Sequence, residues 1–172
     1  MTKKLAIVLF AAGFMASCAP LSREIMSQVD NTLTYQVVQQ DPDRYVGKMV
    51  LWGGVIVEIT NKQNETDLKV RQTELDVEKR PKDLDRSAGR FIVRYAGFLD
   101  PAIYRAGRLI TVAGKVAGKE AHPLGNTQYP YPVLQAKEIH LWESQEYMRP
   151  AYPYYWDYPY WWRRYPWWYW PW

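Results

Sequence analysis

The sequence contains few of the residues on which enzymes and disulfide-bonded domains depend. Among 172 residues there is one cysteine, Cys18, and there are two histidines, His122 and His140. A single cysteine cannot form an internal disulfide, and neither histidine has a partner at the spacing of a metal site. The sequence also lacks a serine nucleophile elbow, a glycine-rich phosphate loop and a zinc-binding helix. We therefore expect neither catalysis nor a metal site.

Long apolar runs are absent except near the N-terminus. Residues 5–15 form an apolar run of eleven residues that follows Lys3 and Lys4. The run is too short to cross a bilayer as a stable helix and is typical of a cleavable export signal. Because no second run follows, we expect the body to be anchored to a membrane and not to span it. The alternatives are a plain signal peptide with an incidental cysteine and an N-terminal membrane anchor.

The four residues Met15-Ala16-Ser17-Cys18 resemble the lipobox of bacterial lipoproteins. The resemblance implies that residues 1–17 are a signal peptide. It also implies that Cys18 carries an S-linked diacylglycerol and an N-linked acyl chain, with no other cofactor. Lipoproteins kept in the inner membrane of many proteobacteria have aspartate after the cysteine, whereas this chain has Ala19. The resemblance thus implies a lipid-anchored outer-membrane protein, which we expect on the periplasmic face.

A strong excess of one charge is also absent. Once Lys3 and Lys4 leave with the signal, 20 basic and 18 acidic side chains remain. So small a balance is a poor basis for binding nucleic acid, although it is compatible with anionic lipid or lipopolysaccharide.

Alternating apolar residues predict five strands, over residues 48–60, 67–74, 90–95, 108–118 and 133–142. The first two form a hairpin with one solvated face, in which Ile56 and Ile59 point to opposite faces. The charged segment 76–90 is expected to be a solvated loop. Asp100 and the proline after it predict a short helix through residue 105, with Asp100 as its cap. His122 falls in a loop rich in proline and glycine, and His140 in the last strand.

Glycines and a slip of apolar phase indicate that these strands are curved. Gly114 within the fourth strand indicates a bulge, and so does the slip between Leu134 and Ile139 in the last strand. Together these features predict a mainly β fold, a small OB-like five-stranded barrel with one or two short helices over residues 34–146. Residues 18–33 would be the acylated cysteine and a tether. Trp52 either fills the barrel core or forms a surface for stacking.

Three short motifs carry a family resemblance. They are DPDRYVGK at residues 41–48, WGGVI at 52–56 and GRLITVAG at 107–114. With the lipobox they resemble the Slp family, outer-membrane lipoproteins associated with starvation and stationary phase. The resemblance covers about residues 1–142 and does not include the tail after Tyr147. It implies no catalytic residues and a structural or stress-protective role in the cell envelope.

Residues 147–172 form an irregular tail in which tryptophan, tyrosine and proline are concentrated. Seven of the nine tryptophans lie in it, and repeated prolines oppose both a continuous helix and a central strand. The tail packs on the barrel, lies at a membrane interface, or forms a binding platform. We favour the interface. The residues expected to contact membrane or ligand are Trp156, Trp161, Trp162, Arg163, Arg164, Trp167, Trp168, Trp170 and Trp172.

The sequence thus predicts a non-catalytic outer-membrane lipoprotein with a structural or stress-protective envelope role. Its expected partner is outer-membrane lipid, and nucleic acid is not expected. The alternative is a periplasmic module that binds peptidoglycan or lipopolysaccharide by aromatic stacking. An envelope protein is a further candidate partner for the tail.

Overall fold

The computed structural model describes residues 21–143. This part of the chain forms two short helices, α1 (Arg23–Gln28) and α2 (Tyr35–Gln40), and a 3₁₀ helix (Pro42–Tyr45). Five strands follow, β1 (Met49–Asn61), β2 (Thr66–Thr73), β3 (Arg90–Tyr95), β4 (Leu109–Leu124) and β5 (Thr127–Leu141). The fold is mainly β, as the sequence predicts. Between residues 21 and 143 no helix is long and apolar enough to cross a membrane.

The five strands close into a barrel in the order β1-β2-β3-β5-β4. Four contacts between neighbouring strands are antiparallel, including that of β4 with β1. The fifth contact joins β3 and β5 in parallel through three residue pairs, Ile92 with Val133, Val93 with Leu134 and Arg94 with Gln135. The predicted OB-like barrel is confirmed.

Bulges curve the strands. The pairing of β4 with β5 shifts beside Gly114, where Lys137 is left without a partner, so both predicted bulges are confirmed at one place. A further bulge in β1 lies between Ile56 and Glu58. It turns Ile59 toward the core that also contains Ile56. The expected placement of these two isoleucines on opposite faces is therefore wrong, because one extra residue reverses the alternation.

Aromatic rings fill the centre of the barrel. The ring centroids of Tyr35 and Trp52 are 5.2 Å apart and those of Trp52 and Phe91 are 5.3 Å apart, both edge to face. Trp52 is only 3% exposed, and its indole N–H donates to the carbonyl of Leu33 at 3.3 Å. Trp52 thus fills the core and offers no surface for stacking. The aliphatic core around the rings includes Val50, Leu68, Val70, Val93, Ile110, Val112, Val116 and Leu134.

Strands β4 and β5 continue as a long hairpin where the sequence predicts a loop. The placement of His122 in a loop is wrong, because His122 lies in β4 opposite Tyr129. His140 lies in β5, as predicted. Pro130 and Pro132 belong to β5 and pair with β4. Before Val133 this strand has no second neighbour, so a proline without an N–H is tolerated on the open edge.

The helix predicted over residues 100–105 does not form. The carbonyl of Asp100 accepts the amides of Ile103 and Tyr104 at 3.0 and 2.9 Å, and its carboxylate accepts the amide of Ala102 at 2.8 Å. These bonds make a single turn that Asp100 caps. The amide of Gly107 then donates to the carbonyl of Ile56 at 2.8 Å, which returns the chain to β1 after that one turn.

The N-terminal segment packs along the barrel. Leu21 is 2% exposed and Val29 is 9% exposed, and the amide of Asp30 donates to the carbonyl of Met49 at 2.9 Å. Residues 21–33 are thus in contact with β-structure, although the sequence analysis grouped them with the tether. The boundaries of the signal peptide, tether, barrel and tail stay predictions.

Candidate functional site

The residues that the sequence singles out for function lie outside residues 21–143. They are Cys18, the expected lipid attachment site, and the membrane or ligand contacts of the tail, Trp156, Trp161, Trp162, Arg163, Arg164, Trp167, Trp168, Trp170 and Trp172. Their roles stay predictions. The structure describes the residues that follow Cys18 and those that precede the tail, where each segment meets the barrel. It also describes the charged groups on the barrel surface.

On the N-terminal side, Ser22 is fixed to Glu138 of β5. Its backbone N–H donates to both carboxylate oxygens, at 3.2 and 3.0 Å, and its hydroxyl donates to Oε2 at 2.9 Å. Leu21, next to it, is buried. Leu21 follows Cys18 by three positions, and a chain of that length spans at most about 11 Å. Any anchor at Cys18 is therefore joined to the barrel by a short link.

On the C-terminal side, Trp142 is fixed directly after β5. Its amide donates to the carbonyl of Leu109 and its indole N–H to the hydroxyl of Thr111, both at 2.9 Å. The guanidinium of Arg80 lies 5.4 Å from the centroid of the Trp142 ring. Trp142 follows Glu138 by four residues, which is about 13 Å along a strand. The segments that lead to Cys18 and to the tail thus leave from the same part of β5.

Arg94 of β3 joins two other strands through its guanidinium. Nε and Nη2 donate to the two carboxylate oxygens of Asp67 in β2 at 2.9 and 3.0 Å. Nη1 and Nη2 donate to Glu120 in β4 at 2.9 and 3.2 Å. Lys62 donates to Asp67 as well, at 2.7 Å. The local sequence pattern does not reveal this network, because the partners of Arg94 lie far from it along the chain and alternation alone does not pair them.

The network keeps its carboxylates ionised. Burial raises the pKa of Asp67, but hydrogen bonds from Arg94 and Lys62 outweigh burial, and the pKa is lowered. The hydrogen bond from Arg94 lowers the pKa of Glu120. A carboxylate held in this way is a poor proton donor at neutral pH. Among residues 21–143, no group of three or more histidine, cysteine, aspartate or glutamate side chains is placed to hold a metal ion.

An export-signal pattern ending at Cys18 and a closed OB-like barrel define the class of an exported lipoprotein with a small β domain. The sequence model of the Outer membrane lipoprotein Slp family matches residues 15–170. The chain therefore belongs to the Slp family and is an outer-membrane lipoprotein. The match runs through most of the tail, so the exclusion of the tail from the family resemblance is wrong.

Individual relatives agree with this assignment. The chain is 35% identical over 117 residues to the uncharacterized lipoprotein YeaY of Escherichia coli, covering 67% of this chain and 60% of that protein. It is 28% identical over 155 residues to the outer membrane protein Slp of the same organism, covering 89% and 81%. An uncharacterized protein of Haemophilus influenzae is 36% identical over 96 residues, covering 55% and 52%. The matches to the first and third relatives span less than two thirds of their length.

Two solved structures match part of the chain at low sequence identity. A small single-stranded DNA-binding protein of Streptomyces coelicolor is 13% identical, with a TM-score of 0.35, covering 54% of this chain and 92% of that one. The mitochondrial single-stranded DNA binding protein Rim1 of S. cerevisiae is 15% identical, with the same TM-score, covering 58% and 97%. A TM-score of 0.35 supports no inference about function.

Proposed function

We propose that this outer-membrane lipoprotein has a non-catalytic, structural role in which lipid on Cys18 holds the barrel directly against the membrane. The observation that carries the proposal is the attachment of Ser22 to Glu138 through three hydrogen bonds. Since this contact lies only a few residues after Cys18, the anchor has no long tether. The side of the barrel around Glu138 then faces lipid, and the barrel covers the membrane surface beside its anchor.

The position of Trp142 supports a membrane-interface role for the tail. Trp142, five residues before the tail, lies about 13 Å along the chain from Glu138, on the side that we place against lipid. Tryptophan and tyrosine favour the interface, because their rings are apolar while the indole N–H and phenol O–H stay hydrated. Arg163 and Arg164 would then lie near lipid phosphates. We further propose a stress-protective role in the cell envelope, which the resemblance to the Slp family implies.

The orientation of the barrel is tested with single thiols. Cys18 is the only cysteine, and acylation blocks its sulfur. Lys137→Cys or Ser87→Cys therefore adds a single thiol for labelling. Lys137 is next to Glu138, whereas Ser87 lies beside Tyr129, nine residues away along β5. In vesicles that contain a headgroup quencher, we expect a dye at residue 137 to be quenched more strongly than a dye at residue 87. Equal quenching at the two positions would contradict the proposed orientation.

The role of the tail is tested in a form without lipid. The mature chain with Cys18→Ser is compared with the same chain carrying Trp161→Ala, Trp162→Ala, Trp167→Ala and Trp168→Ala. We expect the quadruple variant to sediment with anionic vesicles less than its parent does, while the two unfold at the same temperature. Unchanged sedimentation argues against the interface. Saturable binding to purified peptidoglycan that the same variant loses would favour the glycan-binding alternative.

The lipid itself is tested by mass spectrometry of the native N-terminus. We expect a mature chain that starts at Cys18 and carries a diacylglycerol and an acyl chain. A start at another residue, or an unmodified Cys18, would overturn the anchoring step and the proposed role together.

A further inference from the structure

Two arginines face each other across adjacent strands on the outside of the barrel. Arg71 of β2 is paired with Arg90 of β3 in the antiparallel register. Side chains at such positions have Cβ atoms about 5 Å apart, and like charges placed there destabilise a sheet. Both side chains are half-buried. A like-charge pair held in this way has a physical explanation when an anion binds between the two guanidinium groups.

The arginine pair has no acidic partner in the part of the chain that the structure describes. The guanidinium of Arg71 donates to the carbonyl of Leu84. The guanidinium of Arg90 makes no hydrogen bond and no ion pair with residues 21–143. Arg94, four residues further along the same face of β3, shows the contrast, since it is paired with Asp67 and Glu120. Positive charge on this face is therefore neutralised at Arg94 and left unneutralised at Arg71 and Arg90.

The pair lies in an open groove of about 450 Å³. The other lining side chains that bear on a ligand are Tyr129, Gln39 and Ser87, and no carboxylate lines the groove. The Tyr129 hydroxyl accepts from the Gln39 amide at 2.9 Å and from the Arg90 backbone N–H at 3.4 Å. Tyr35 lies 3.4 Å from the Tyr129 hydroxyl and directs its own proton to the Arg90 carbonyl. Because Tyr35 gives its proton to that carbonyl, Tyr129 is the donor in the contact between the two hydroxyls. The second N–H of the Gln39 side chain is the neutral donor left for a ligand.

Gly89 lets these hydroxyls meet beside the arginines. A Cβ at this position would overlap the hydroxyl oxygens of Tyr35 and Tyr129, and the φ of Gly89 is +151°. The backbone beside Arg90 therefore fits tightly around the Tyr129 hydroxyl. The result is a Gln39 amide held in place by Tyr129 next to two guanidinium groups, a donor set suited to an oxyanion.

Among oxyanions, a phosphate monoester fits this donor set best. Arginine forks bind carboxylate and phosphate alike, but two opposed guanidinium groups and an amide N–H exceed what one carboxylate with two oxygens can accept. A phosphate monoester offers three oxygens and up to two negative charges. Tyr129 and Leu124 also line the groove and supply apolar surface for the group that bears the phosphate.

The location of the groove favours a soluble ligand over a lipid headgroup. Tyr129 is nine residues before Glu138 in β5, which is up to about 30 Å along the strand. On the orientation proposed above, the groove points away from the anchoring membrane. We propose that the groove between Arg71 and Arg90 binds the phosphate monoester of a small soluble molecule.

The test uses the full acylated chain in nonionic detergent, with glucose 1-phosphate as the probe in calorimetry. We expect binding with a Kd of about 1 mM or tighter. Arg71→Gln and Arg90→Gln should each weaken it about ten- to a hundredfold, as expected for the loss of a charge-assisted hydrogen bond. Lys115→Gln is the matched control, since it removes an exposed positive charge of β4 outside the groove and should leave the Kd unchanged. No measurable binding by the wild type, or equal Kd values for all four proteins, would overturn the proposal.

A second measurement confirms that the variants fold and separates the ligand classes. Because the two arginines repel each other, Arg90→Gln should melt at the same or a higher temperature than the wild type. Glucose 1-phosphate should raise the wild-type Tm and not that of Arg90→Gln. Glucuronate binding as tightly as glucose 1-phosphate would overturn the choice of phosphate. If the protein binds phosphatidic acid vesicles through Arg90 but does not bind glucose 1-phosphate, the ligand is a lipid headgroup. That result would overturn the proposal of a soluble ligand and would leave the anchoring role untouched.

Discussion

The guanidinium of Arg94 and the carboxylate of Asp67 meet in a two-point contact across β3 and β2, with N–O distances of 2.9 and 3.0 Å. Asp67 is 9% exposed, so this charge has lost most of its contact with water. A buried carboxylate depends on its partner, because removing the partner leaves a charge without compensation. The stability of the barrel should therefore depend on Arg94 and on the ionisation of Asp67.

Arg94→Ala should lower the free energy of unfolding by about 2–3 kcal/mol. The substitution leaves Asp67 with only Lys62 and removes the link to Glu120. Lys69→Ala is the control. Lys69 of β2 pairs with the half-exposed Glu58 of β1, and losing this pair should lower the free energy of unfolding by about 0.5 kcal/mol. Urea unfolding measures both values. Equal effects of the two substitutions would show that the Arg94 network adds little.

The network should also make stability depend on acid. Folding lowers the pKa of Asp67 and of Glu120 below their ordinary values of 3.8 and 4.5, so the unfolded chain takes up protons at a higher pH. This contribution is fully present above about pH 5 and is lost as the pH falls through the lowered values. The free energy of unfolding measured between pH 6 and 3 should therefore decline more steeply for the wild type than for Arg94→Gln. Parallel curves would argue against the lowered pKa values.

Leu21→Ala tests whether the N-terminal segment is part of the folded domain. Leu21 is 2% exposed, and removing its side chain should cost about 2 kcal/mol or more. Val77→Ala is the control, because Val77 is 94% exposed and should be neutral within about 0.5 kcal/mol. Thermal unfolding of the mature chain compares them. A Leu21 variant as stable as the wild type would mean that residues near Cys18 contribute nothing to the barrel.

Gly54→Ala should destabilise the barrel by more than about 2 kcal/mol, since the new Cβ meets the backbone of Arg71, which cannot move without disturbing β2. Gly125→Asn provides the comparison. Gly125 has a φ of +61° in the β4–β5 turn with open space around it, and asparagine tolerates that conformation. We expect its Tm to change little. A mild effect of Gly54→Ala would show that β1 and β2 can separate locally.

The sequence predicts the barrel well where local pattern and long-range pairing agree. Strand β3 alternates without interruption, and its predicted bounds at residues 90 and 95 are those observed. The bulge beside Gly114 was predictable because the apolar phase of β5 visibly slips before Ile139. In both cases the alternation of apolar residues within one strand shows which face is buried, so no other strand is needed for the prediction.

Other features depend on contacts that no local pattern records. The prolines before Val133 indicate a loop by themselves, and only the absence of a second neighbour allows them in a strand. The pairing of Arg71 with Arg90 depends on the register of two strands joined by a long charged loop. The attachment of Ser22 depends on Glu138, more than a hundred residues away. Tertiary structure decides each of these, and one sequence does not specify it.

The parallel contact between β3 and β5 has a consequence for how the barrel opens. It is three residue pairs long, whereas the neighbouring contacts extend over many more. Arg94 belongs to this contact, and its carbonyl accepts the side-chain amide of Gln135 at 3.3 Å. The amide protons that bond β3 to β5 within residues 133–135 should therefore be the first in the barrel wall to exchange with deuterium. Local opening of the barrel would begin there. It would expose the unpaired edges of β3 and β5, and such edges can pair with another chain.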